Sequence, residues 1–491
     1  MEIKKKKFYI TTTLPYVNDE PHIGFAMEII KADVIARYHE AQGDEVIFNT
    51  GTDEHGLKIY RKALEQGKDP QEYVDEYAAK FDELKSLLNL SYTHFIRTSD
   101  PEHKKAAQEF WRICAAHDDI YKKSYRVKYC VGCELEKTDS ELTDSRCLIH
   151  PNLELELIAE ENYFFRFSKY QQPLLDFYET HPDFVMPSFR FNEIKRFVSD
   201  GLQDFSISRL KAKMPWGVPV PDDPEQVMYV WFDALINYIS TLGWPEDARD
   251  EFKNFWPGTQ IAGKDNLRQQ SAMWQAMLMS AGLSPSKQIL IQGFITVDGQ
   301  KMSKSLGNVI APKTLVETYG IDPVRYYLLR EIPSGEDGDF SIKKLEERYN
   351  GDLANGLGNL VARVVTLGEK VSPVPLQQNE EMMKEIERVR ALAQQYIESF
   401  RLNEALGVIW ELIGYGDRHI NDTKPWAIKD DTATLQNIIA GASALIDAIR
   451  ELIEPFLPET AEKIKEQISI EGDMIKIKRG NMLFPRLQEK I

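Results

Sequence analysis

Lysine and serine residues alternate in the segment GQKMSKSLGN at positions 299–308. Lys301 and Lys304 place two ammonium groups three positions apart, and Gly299 and Gly307 leave the flanking backbone free to move. A mobile, doubly cationic loop of this kind suits brief binding of a polyphosphate. A pair of lysines between glycines is also typical of a solvated surface turn, so other parts of the chain must decide between these interpretations.

A histidine at the start of a predicted helix is a second group that could meet an anion. Apolar side chains recur there at helical spacing, after Pro21 and before Gly43, at Ile23, Met27, Ile30, Val34 and Tyr38. The backbone N–H groups and the dipole at a helix N-terminus favour phosphate and disfavour a protonated imidazole. We therefore predict that His22 donates a hydrogen bond to phosphate as a neutral imidazole, with a capping or packing role as the alternative.

Three of the four cysteines form a metal-ligand pattern. The segment YCVGCELEKTDSELTDSRCLIHP supplies Cys130, Cys133, Cys147 and His150 with the spacing C-x2-C-x13-C-x2-H. Two close pairs of soft ligands separated by a hairpin-sized interval suit one tetrahedral zinc ion with a structural role. Reduced thiol pairs or a disulfide are the alternatives. Cys114 lies outside the spacing and is predicted to be a buried thiol.

The elements that must position these residues follow an alternating pattern. Strand-like FYITTT precedes the predicted helix, EVIFNT follows it, and polar loops come after both strands. The pattern resumes with VMYVWF before DALINYIS, with TQIAGKD before LRQQSAMWQAMLMSAG, and with KQILIQGF. Between the two halves, residues 111–224 break the pattern, and after residue 350 the spacing is helical. We predict an α/β fold with a doubly wound, Rossmann-like parallel sheet, an inserted subdomain and a closing helical bundle.

Length and composition set the broad class. The 491 residues exceed what one core usually supports, and the 43% hydrophobic and 28% charged fractions are those of globular chains. No apolar run is long enough to span a membrane, and no targeting segment precedes the first strand, so we expect a cytoplasmic protein without a membrane partner. The net charge of −17 argues against a nucleic-acid partner only weakly, because total charge does not describe local patches.

Several segments together resemble one family. PHIGF resembles the HIGH motif and Lys301 to Ser305 matches the KMSKS motif of class I aminoacyl-tRNA synthetases. TLPYVNDEPHIG, TGTDEHG, YVWFDAL, GKD and the four-ligand knuckle extend the resemblance to the methionyl-tRNA synthetase family over essentially the whole chain. The resemblance implies activation of methionine by ATP, release of pyrophosphate, and transfer to the terminal ribose of initiator and elongator methionine tRNAs. It also implies Mg²⁺ with ATP and one structural Zn²⁺.

The resemblance implies domains and site residues. The predicted domains are a catalytic domain in two halves (1–115 and 226–298), an inserted connective subdomain with the knuckle (116–225), the KMSKS and stem-contact region (299–350) and a helical anticodon-binding domain (351–491). The catalytic groups would be His22, Lys301 and Lys304, which meet the charge that grows on pyrophosphate. ATP would be bound by these three and by Gly24, Gly263, Lys264, Asp265 and Ser303. Methionine would be bound by Asp53 through its ammonium, aided by Arg209, and by Leu14, Tyr16, Trp231, Ala234, Tyr238, Gln270 and Trp274. Asn359, Arg363 and Trp426 would read the anticodon.

Some positions depart from the family pattern. Phe25 replaces the second histidine of HIGH, and Gln269 and Gln270 replace an aromatic-histidine pair found in many relatives. Gln275 and Leu235 stand where many relatives have proline. The arrangement of the two glutamines around methionine is left open by the sequence.

Two other functions compete with this one. A synthetase-like protein could bind tRNA or nucleotide without aminoacylation, and Phe25 and the glutamines would then mark lost catalysis. A zinc-stabilised nucleic-acid binder would explain the knuckle but not the predicted ATP site. The insertion is far too small for the editing domain of relatives that handle isoleucine, valine or leucine, so separate hydrolytic editing is not expected. With no dimerising module in view, we expect a monomer.

Overall fold

The structure is a computed structural model that describes residues 5–137, 142–302, 307–377 and 379–487. The chain divides into two units. The first consists of Met1–Pro21, Gly43–Lys85 and Ser91–Ile291, and the second of His22–Gln42, Ser86–Leu90 and Gln292–Ile491. None of the described helices is long and apolar enough to cross a membrane.

The described strands run, in chain order, as β1 (Lys7–Thr12), β2 (Glu45–Thr52), β3 (His94–Arg97), β4 (Ile120–Cys130), β5 (Leu135–Lys137), β6 (Leu142–Thr143), β7 (Arg146–Cys147), β8 (Glu156–Phe165), β9 (Val185–Met186), β10 (Phe205–Ser206), β11 (Ser208–Leu210), β12 (Pro219–Val220), β13 (Asp223–Met228), β14 (Thr259–Gly263), β15 (Gln288–Gln292), β16 (Ile295–Val297), β17 (Gln300–Lys301), β18 (Gly338–Phe340), β19 (Val374–Pro375), β20 (Ile468–Glu471) and β21 (Met474–Ile477).

The described α-helices are α1 (Ile23–Ala41), α2 (Leu57–Glu65), α3 (Pro70–Asp82), α4 (Leu84–Leu87), α5 (Pro101–Ala116), α6 (Gln171–Thr180), α7 (Ser188–Ser199), α8 (Val230–Ala234), α9 (Asn237–Ser240), α10 (Glu251–Phe255), α11 (Trp274–Ser280), α12 (Pro312–Tyr319), α13 (Ile321–Arg330), α14 (Ile342–Arg348), α15 (Asn359–Gly368), α16 (Glu380–Glu398), α17 (Leu402–Thr423), α18 (Thr432–Ile453) and α19 (Pro458–Lys465). Two π-helical segments, Gln269–Met273 and Tyr349–Gly358, run directly into α11 and α15.

A six-stranded sheet in the order β3-β2-β1-β14-β15-β9 forms the centre of the first unit. β1 is parallel to β2 and β14, with Ile10 opposite Phe48 and Thr259, and β2 is parallel to β3. Consecutive residues of β1 are buried, because a parallel sheet is covered on both faces. The predicted Rossmann-like core is therefore confirmed, and the carboxyl ends of β1, β2 and β14 lie at one edge of the sheet.

One predicted strand ends earlier than expected. VMYVWF was expected to be a strand of the parallel core, but β13 ends at Met228, and Tyr229 caps α8. β13 pairs antiparallel with β11 and β12 in a separate three-stranded sheet. The prediction was wrong because a short apolar run looks the same whether it is a buried strand or a buried helix.

The inserted region is largely antiparallel. β4 and β8 pair along ten positions, from Ile120 opposite Phe165 to Tyr129 opposite Glu156, in a four-stranded sheet with the order β10-β8-β4-β5. β6 and β7 form a small hairpin beside the predicted metal ligands. The long β4–β8 ribbon therefore leads to the knuckle.

The second unit contains α1, α12 to α19 and two small sheets. The sequence predicts only helices after residue 350, but β19, β21 and β20 form an antiparallel sheet there. β20 and β21 alternate in polarity and are joined by Gly472, whose φ of +59° suits glycine in a tight hairpin. The helical bundle is confirmed, with this sheet as an addition that the periodicity analysis missed.

Candidate active site

The four predicted metal ligands converge. The ligand atoms of Cys130, Cys133, Cys147 and His150 all lie within 4.8 Å of one another. Cys133 Sγ lies 3.5 Å from Cys147 Sγ and 3.1 Å from His150 Nδ1, close to the ligand separations that a tetrahedral zinc ion imposes. A side chain at Gly132 would place its Cβ 2.6 Å from the His150 ring, so glycine is required there. The residues fit a four-coordinate metal, and the fit rests on three thiols and an imidazole facing one point.

The loops after β1 and β2 meet at the carboxyl edge of the sheet. Tyr16 and Asp53 form an isolated parallel bridge, in which the Asp53 N–H donates to the Pro15 carbonyl at 3.0 Å. The Val17 N–H donates to the Asp53 carbonyl at 3.3 Å. This backbone pairing brings the side chains of two predicted methionine-binding residues to neighbouring positions.

The Asp53 carboxyl group is in an unusual environment. It is buried, and the Thr98 hydroxyl donates to its Oδ1 at 3.4 Å. Burial raises the pKa of Asp53 well above its usual range, and the negative charges of Asp233 and Glu134 raise it further. A cation placed beside Asp53 would relieve both effects, so the carboxyl group is suited to an ammonium ligand.

Arg209 lies in β11 with its guanidinium close to two aromatic rings. Its Cζ is 4.7 Å from the centre of the Tyr229 ring and 5.3 Å from that of Tyr129. The same group donates to the Ser206 hydroxyl at 2.8 Å and to the Ser208 carbonyl at 2.7 Å. Arg209 is therefore held in a buried, preorganised position.

The predicted apolar pocket residues are joined around Tyr238. Gln270 Nε2 donates to the Tyr238 hydroxyl at 2.7 Å, and the rings of Tyr238 and Trp274 are 5.9 Å apart. Trp231 is partly buried against the same apolar core, and Ala234 ends α8. Leu14 is half-buried just after β1. Of the predicted set, Tyr238 thus contacts both Gln270 and Trp274.

The glutamines that depart from the family pattern are buried and ordered. Gln275 donates to the Gln270 carbonyl at 2.7 Å and to the Ser286 hydroxyl at 3.1 Å. Gln269 and Gln270 lie in the π-helical segment before α11, a kind of irregularity frequent at functional sites. The Gln270 amide oxygen has no hydrogen-bond partner among the described residues. Gln270 therefore points toward Tyr238, and Gln275 fixes the backbone that carries it.

A buried ionic cluster that the sequence did not predict is centred on Asp233 of α8. Asp233 Oδ2 lies 2.6 Å from His55 Nδ1, and Asp233 Oδ1 lies 2.9 Å from His103 Nε2. Burial opposes ionisation of Asp233, but the two histidines outweigh it and lower the pKa of this carboxyl to about 2. Asp233 lies on α8 between Trp231 and Ala234, and His55 follows Asp53 by two positions, so the cluster ties the pocket wall to the Asp53 loop. A signal was present for two of the three residues, since His55 falls inside the segment TGTDEHG and Asp233 inside YVWFDAL, whereas His103 lies in neither.

Glu134 was also missed. It follows Cys133, and its buried carboxylate accepts a hydrogen bond from the backbone N–H of Lys58 at 2.9 Å. No spacing rule connects a knuckle residue to a loop some seventy positions earlier.

The GKD segment ends β14. Gly263 is the last residue of this strand, and Lys264 and Asp265 open a single 3-10 turn. A Cβ at Gly263 would lie 2.7 Å from Asp265 Oδ1. The segment is therefore at the same edge of the sheet as the Asp53 loop, because β2 and β14 are both parallel to β1.

His22 caps helix α1 in the second unit. Its Nδ1 accepts a hydrogen bond from the Gly24 N–H at 3.1 Å, and its ring is exposed. Because Nδ1 is the acceptor, a neutral His22 carries its proton on Nε2 and can donate from there. Phe25 lies in the first turn of α1 and is partly buried.

The two motifs adjoin within the second unit. The Ile23 N–H donates to the Ile310 carbonyl at 3.1 Å, and a Cβ at Gly24 would lie 3.5 Å from the Met302 methyl group. Lys301 ends β17, which pairs with β16. The predicted Ser303 and Lys304 lie outside the described residues. The structure thus brings the flanks of the lysine loop next to the start of α1.

The predicted anticodon residues lie on the helical part of the second unit. Asn359 and Arg363 are one helical turn apart on α15, and the Arg363 Cζ is 5.2 Å from the centre of the Trp426 ring. Arg363 also donates to the Asn421 side chain at 2.7 Å. Trp426 is 50% exposed, so this cation and this aromatic plane form one accessible surface.

The parallel core, the inserted metal knuckle and the helical C-terminal region together define the architecture of a class I synthetase. A family model described as tRNA synthetases class I (M) matches residues 8–147 and 132–365. The chain is 40% identical to methionine–tRNA ligase of Caldanaerobacter subterraneus subsp. tengcongensis, over 98% of this chain and 79% of that protein. It is 43% identical to methionine–tRNA ligase of Thermotoga maritima, over 95% of this chain and 76% of that protein.

Solved structures of similar proteins belong to the same family as the sequence relatives. Mycobacterium tuberculosis methionyl-tRNA synthetase in complex with methionyl-adenylate superposes with a TM-score of 0.93 and 35% identity, covering 98% of this chain and 100% of that chain. The apo form of the same synthetase superposes with a TM-score of 0.87. This chain belongs to the class I tRNA synthetase family that includes the methionine–tRNA ligases.

Proposed function

We propose that this chain catalyses the ATP-dependent ligation of L-methionine to methionine tRNA. In the first step the methionine carboxylate attacks the α-phosphorus of ATP, the bond to the β-phosphate oxygen breaks, and pyrophosphate leaves. In the second step a hydroxyl of the terminal tRNA ribose attacks the carbonyl carbon of methionyl-adenylate, and AMP leaves. The net reaction forms one ester and converts ATP to AMP and pyrophosphate.

The observation that carries the proposal is the Asp53 site in a chain of this family. A buried carboxyl group under the negative influence of Asp233 and Glu134 binds an ammonium group with little competition from water. An aromatic and apolar pocket beside it would suit a thioether, since sulfur packs well against ring edges. Tyr16, Trp231, Tyr238 and Trp274 would supply the rings, Leu14 and Ala234 the aliphatic contacts, and Arg209 and Gln270 the polar ones.

Catalysis falls to the groups that face phosphate. The His22 Nε2–H would donate to a phosphate oxygen, in keeping with the Nδ1 atom that accepts from Gly24. Lys301 and Lys304, with Ser303, would meet the charge that grows on pyrophosphate as the bond breaks. Gly24, Gly263, Lys264 and Asp265 would hold the rest of the nucleotide.

Metal ions would have two roles. The knuckle of Cys130, Cys133, Cys147 and His150 would hold Zn²⁺, which stabilises the local fold. Mg²⁺ would enter with ATP and offset phosphate charge. We place the reaction in the cytoplasm, where reduced thiols remain available to the metal.

For tRNA selection, Asn359, Arg363 and Trp426 would read the anticodon. The exposed Trp426 ring under the Arg363 guanidinium supports this role, since an unstacked base can lie on such a plane.

The test is methionine-dependent exchange of labelled pyrophosphate into ATP by the purified protein without tRNA. We expect exchange by the wild type and a loss of about 100-fold or more in its rate in Lys304→Ala. The control Lys313→Ala changes an exposed lysine on α12 and should show no loss of rate. Equal rates in both variants would remove Lys304 from the mechanism. A folded, metal-containing wild type that exchanges with no amino acid would instead favour a tRNA-binding protein without ligase activity.

A further inference from the structure

Glu134 connects the metal knuckle to the predicted methionine site. It follows the ligand Cys133, and it is only 1% exposed. Its Oε1 accepts from the Lys58 N–H at 2.9 Å, and the Tyr16 hydroxyl donates to its Oε2 at 3.5 Å. One carboxylate therefore reaches the knuckle, the start of α2 and a pocket residue.

The backbone is shaped around this carboxylate. Gly56 has a φ of +111°, and a Cβ on it would lie 2.6 Å from Glu134 Oε2. Glu134 itself has a φ of +50°, a left-handed conformation that is strained for a residue with a side chain. Glycine or asparagine would occupy position 134 with less strain. The presence of glutamate is therefore explained by what its side chain holds.

The main chain of Glu134 is hydrogen-bonded to a residue that lies beside Arg209. The Tyr229 hydroxyl donates to the Glu134 carbonyl, and the Arg209 Cζ lies 4.7 Å from the centre of the Tyr229 ring. Glu134 thus contacts the Asp53 loop through its side chain and the Arg209 region through its backbone.

A second link between α2 and the inserted region is of a different kind. Arg61 on α2 pairs with Glu156 on β8 at 2.9 Å, but the two side chains are 45% and 44% exposed. Exposed ion pairs contribute little to stability, because water screens the two charges, so this pair serves as a natural comparison.

We propose that Glu134 is a positioning residue, through which the metal-bound knuckle sets the affinity of the methionine site. Glu134 holds the loop of residues 53–58 and the Tyr16 ring, and does not touch the reacting atoms. When the metal is removed, the four ligands are no longer held together, and Glu134 loses its fixed place. The inference rests on the proposed binding of methionine beside Asp53.

The test measures methionine binding directly, by calorimetry and by tryptophan fluorescence, in the zinc-loaded and the chelator-treated full-length protein. The variants are Glu134→Gln, Glu134→Ala and the control Glu156→Gln, and zinc content is measured for each. We expect Glu134→Ala to weaken methionine binding about tenfold, as for the loss of one charge-assisted hydrogen bond. Glu134→Gln should weaken it less, and Glu156→Gln by less than about twofold. Steady-state kinetics should show the change in the methionine KM and not in the ATP KM.

Metal removal distinguishes a connection between the knuckle and the methionine site from general damage to the fold. In the wild type it should weaken methionine binding at least about tenfold, whereas in Glu134→Ala it should add less than about twofold, because the connection is already broken. Zinc content equal to that of the wild type would show that the variant knuckle is folded. The inference would be overturned if metal removal weakened methionine binding as much in Glu134→Ala as in the wild type. It would also be overturned if the methionine affinity of Glu134→Ala were unchanged. A wild type that binds no methionine would instead overturn the proposed function.

Discussion

The buried Asp53 carboxyl group has a cost in stability that the proposed binding of an ammonium group would offset. Burial raises its pKa, and the neighbouring charges of Asp233 and Glu134 add to the effect. A carboxyl with a raised folded-state pKa binds its proton more tightly in the folded chain than in the unfolded chain. Its contribution to the free energy of unfolding therefore falls as pH rises from the unfolded pKa through the folded pKa. A bound ammonium group would stabilise the carboxylate and offset this loss.

The raised pKa of Asp53 leads to a prediction about how methionine binding depends on pH. The methionine KM should fall as pH rises through the elevated pKa of Asp53, because only the carboxylate attracts the ammonium. The dependence should disappear in Asp53→Asn, whose methionine KM should be high at every pH. Steady-state pyrophosphate exchange at saturating ATP, measured from below to above the ordinary carboxyl range, checks both statements.

Thermal unfolding of the same variant provides the control. At neutral pH Asp53→Asn should unfold at a temperature no lower than the wild type, since asparagine replaces a destabilised carboxylate. A marked fall would mean that Asp53 is part of the structural framework, and the KM result could not then be assigned to binding.

At the scale of elements, α1 carries charged residues inside the protein. Periodicity predicted an apolar stripe from Ile23 to Tyr38, but Glu28, Lys31 and Asp33 are buried as well. Lys31 Nζ donates to the Ser334 carbonyl at 3.2 Å, and burial lowers the pKa of Lys31 to about 7. The helix that begins at His22 is thus fixed by polar contacts as well as by apolar packing.

Arg325 on α13 makes the strongest of these contacts. Its fully buried guanidinium donates to Asp33 Oδ2 at 2.7 Å and to the Leu88, Pro455 and Phe456 carbonyls at 3.1, 3.1 and 2.9 Å. Removing one partner of a buried ion pair leaves the other uncompensated.

We predict that Arg325→Met lowers the midpoint of thermal unfolding by about 5 °C or more, which corresponds to a loss of roughly 3 kcal/mol. The control is Arg390→Ala on α16, whose arginine is 42% exposed and pairs with Glu387 and Glu451. It should change the midpoint by less than about 3 °C. Equal shifts of the calorimetric midpoint in the two variants would show that the buried network stabilises the fold no more than an exposed ion pair does.

At the scale of the whole molecule, the two steps of the reaction place different demands on the chain. Adenylate formation needs methionine and ATP only, whereas transfer also needs tRNA. The exposed surface of Arg363 and Trp426 should therefore matter for the second step alone.

We predict that Trp426→Ala leaves pyrophosphate exchange within about twofold of the wild type and lowers kcat/KM for tRNA aminoacylation roughly tenfold or more. Base stacking on an aromatic ring is worth about 1–3 kcal/mol. Met482→Ala, which removes an even more exposed side chain of the same unit, should change neither rate. A parallel loss of exchange in Trp426→Ala would show that the substitution damages the fold rather than tRNA recognition.

Local pattern was enough to predict much of this protein. The ligand set of the knuckle follows from the spacing of Cys130 to His150, and the position of His22 at a helix start follows from apolar periodicity. The parallel core follows from alternating strands and helices, whose polar loops must gather at one edge. These features depend on neighbours in the chain, which a sequence displays directly.

Tertiary structure alone decided the pairings between distant residues. Asp233 meets His55 across 178 positions, and Glu134 meets Tyr16 across 118. The direction of the Gln270 side chain, which the sequence left open, follows from the Tyr238 hydroxyl beside it. Burial makes such polar contacts obligatory, because an unpaired polar group inside a protein is costly. Which residue becomes the partner depends on which distant segments the fold brings together. Residue types and spacing therefore determined which chemistry this chain carries, and only the folded chain determined which groups hold that chemistry in place.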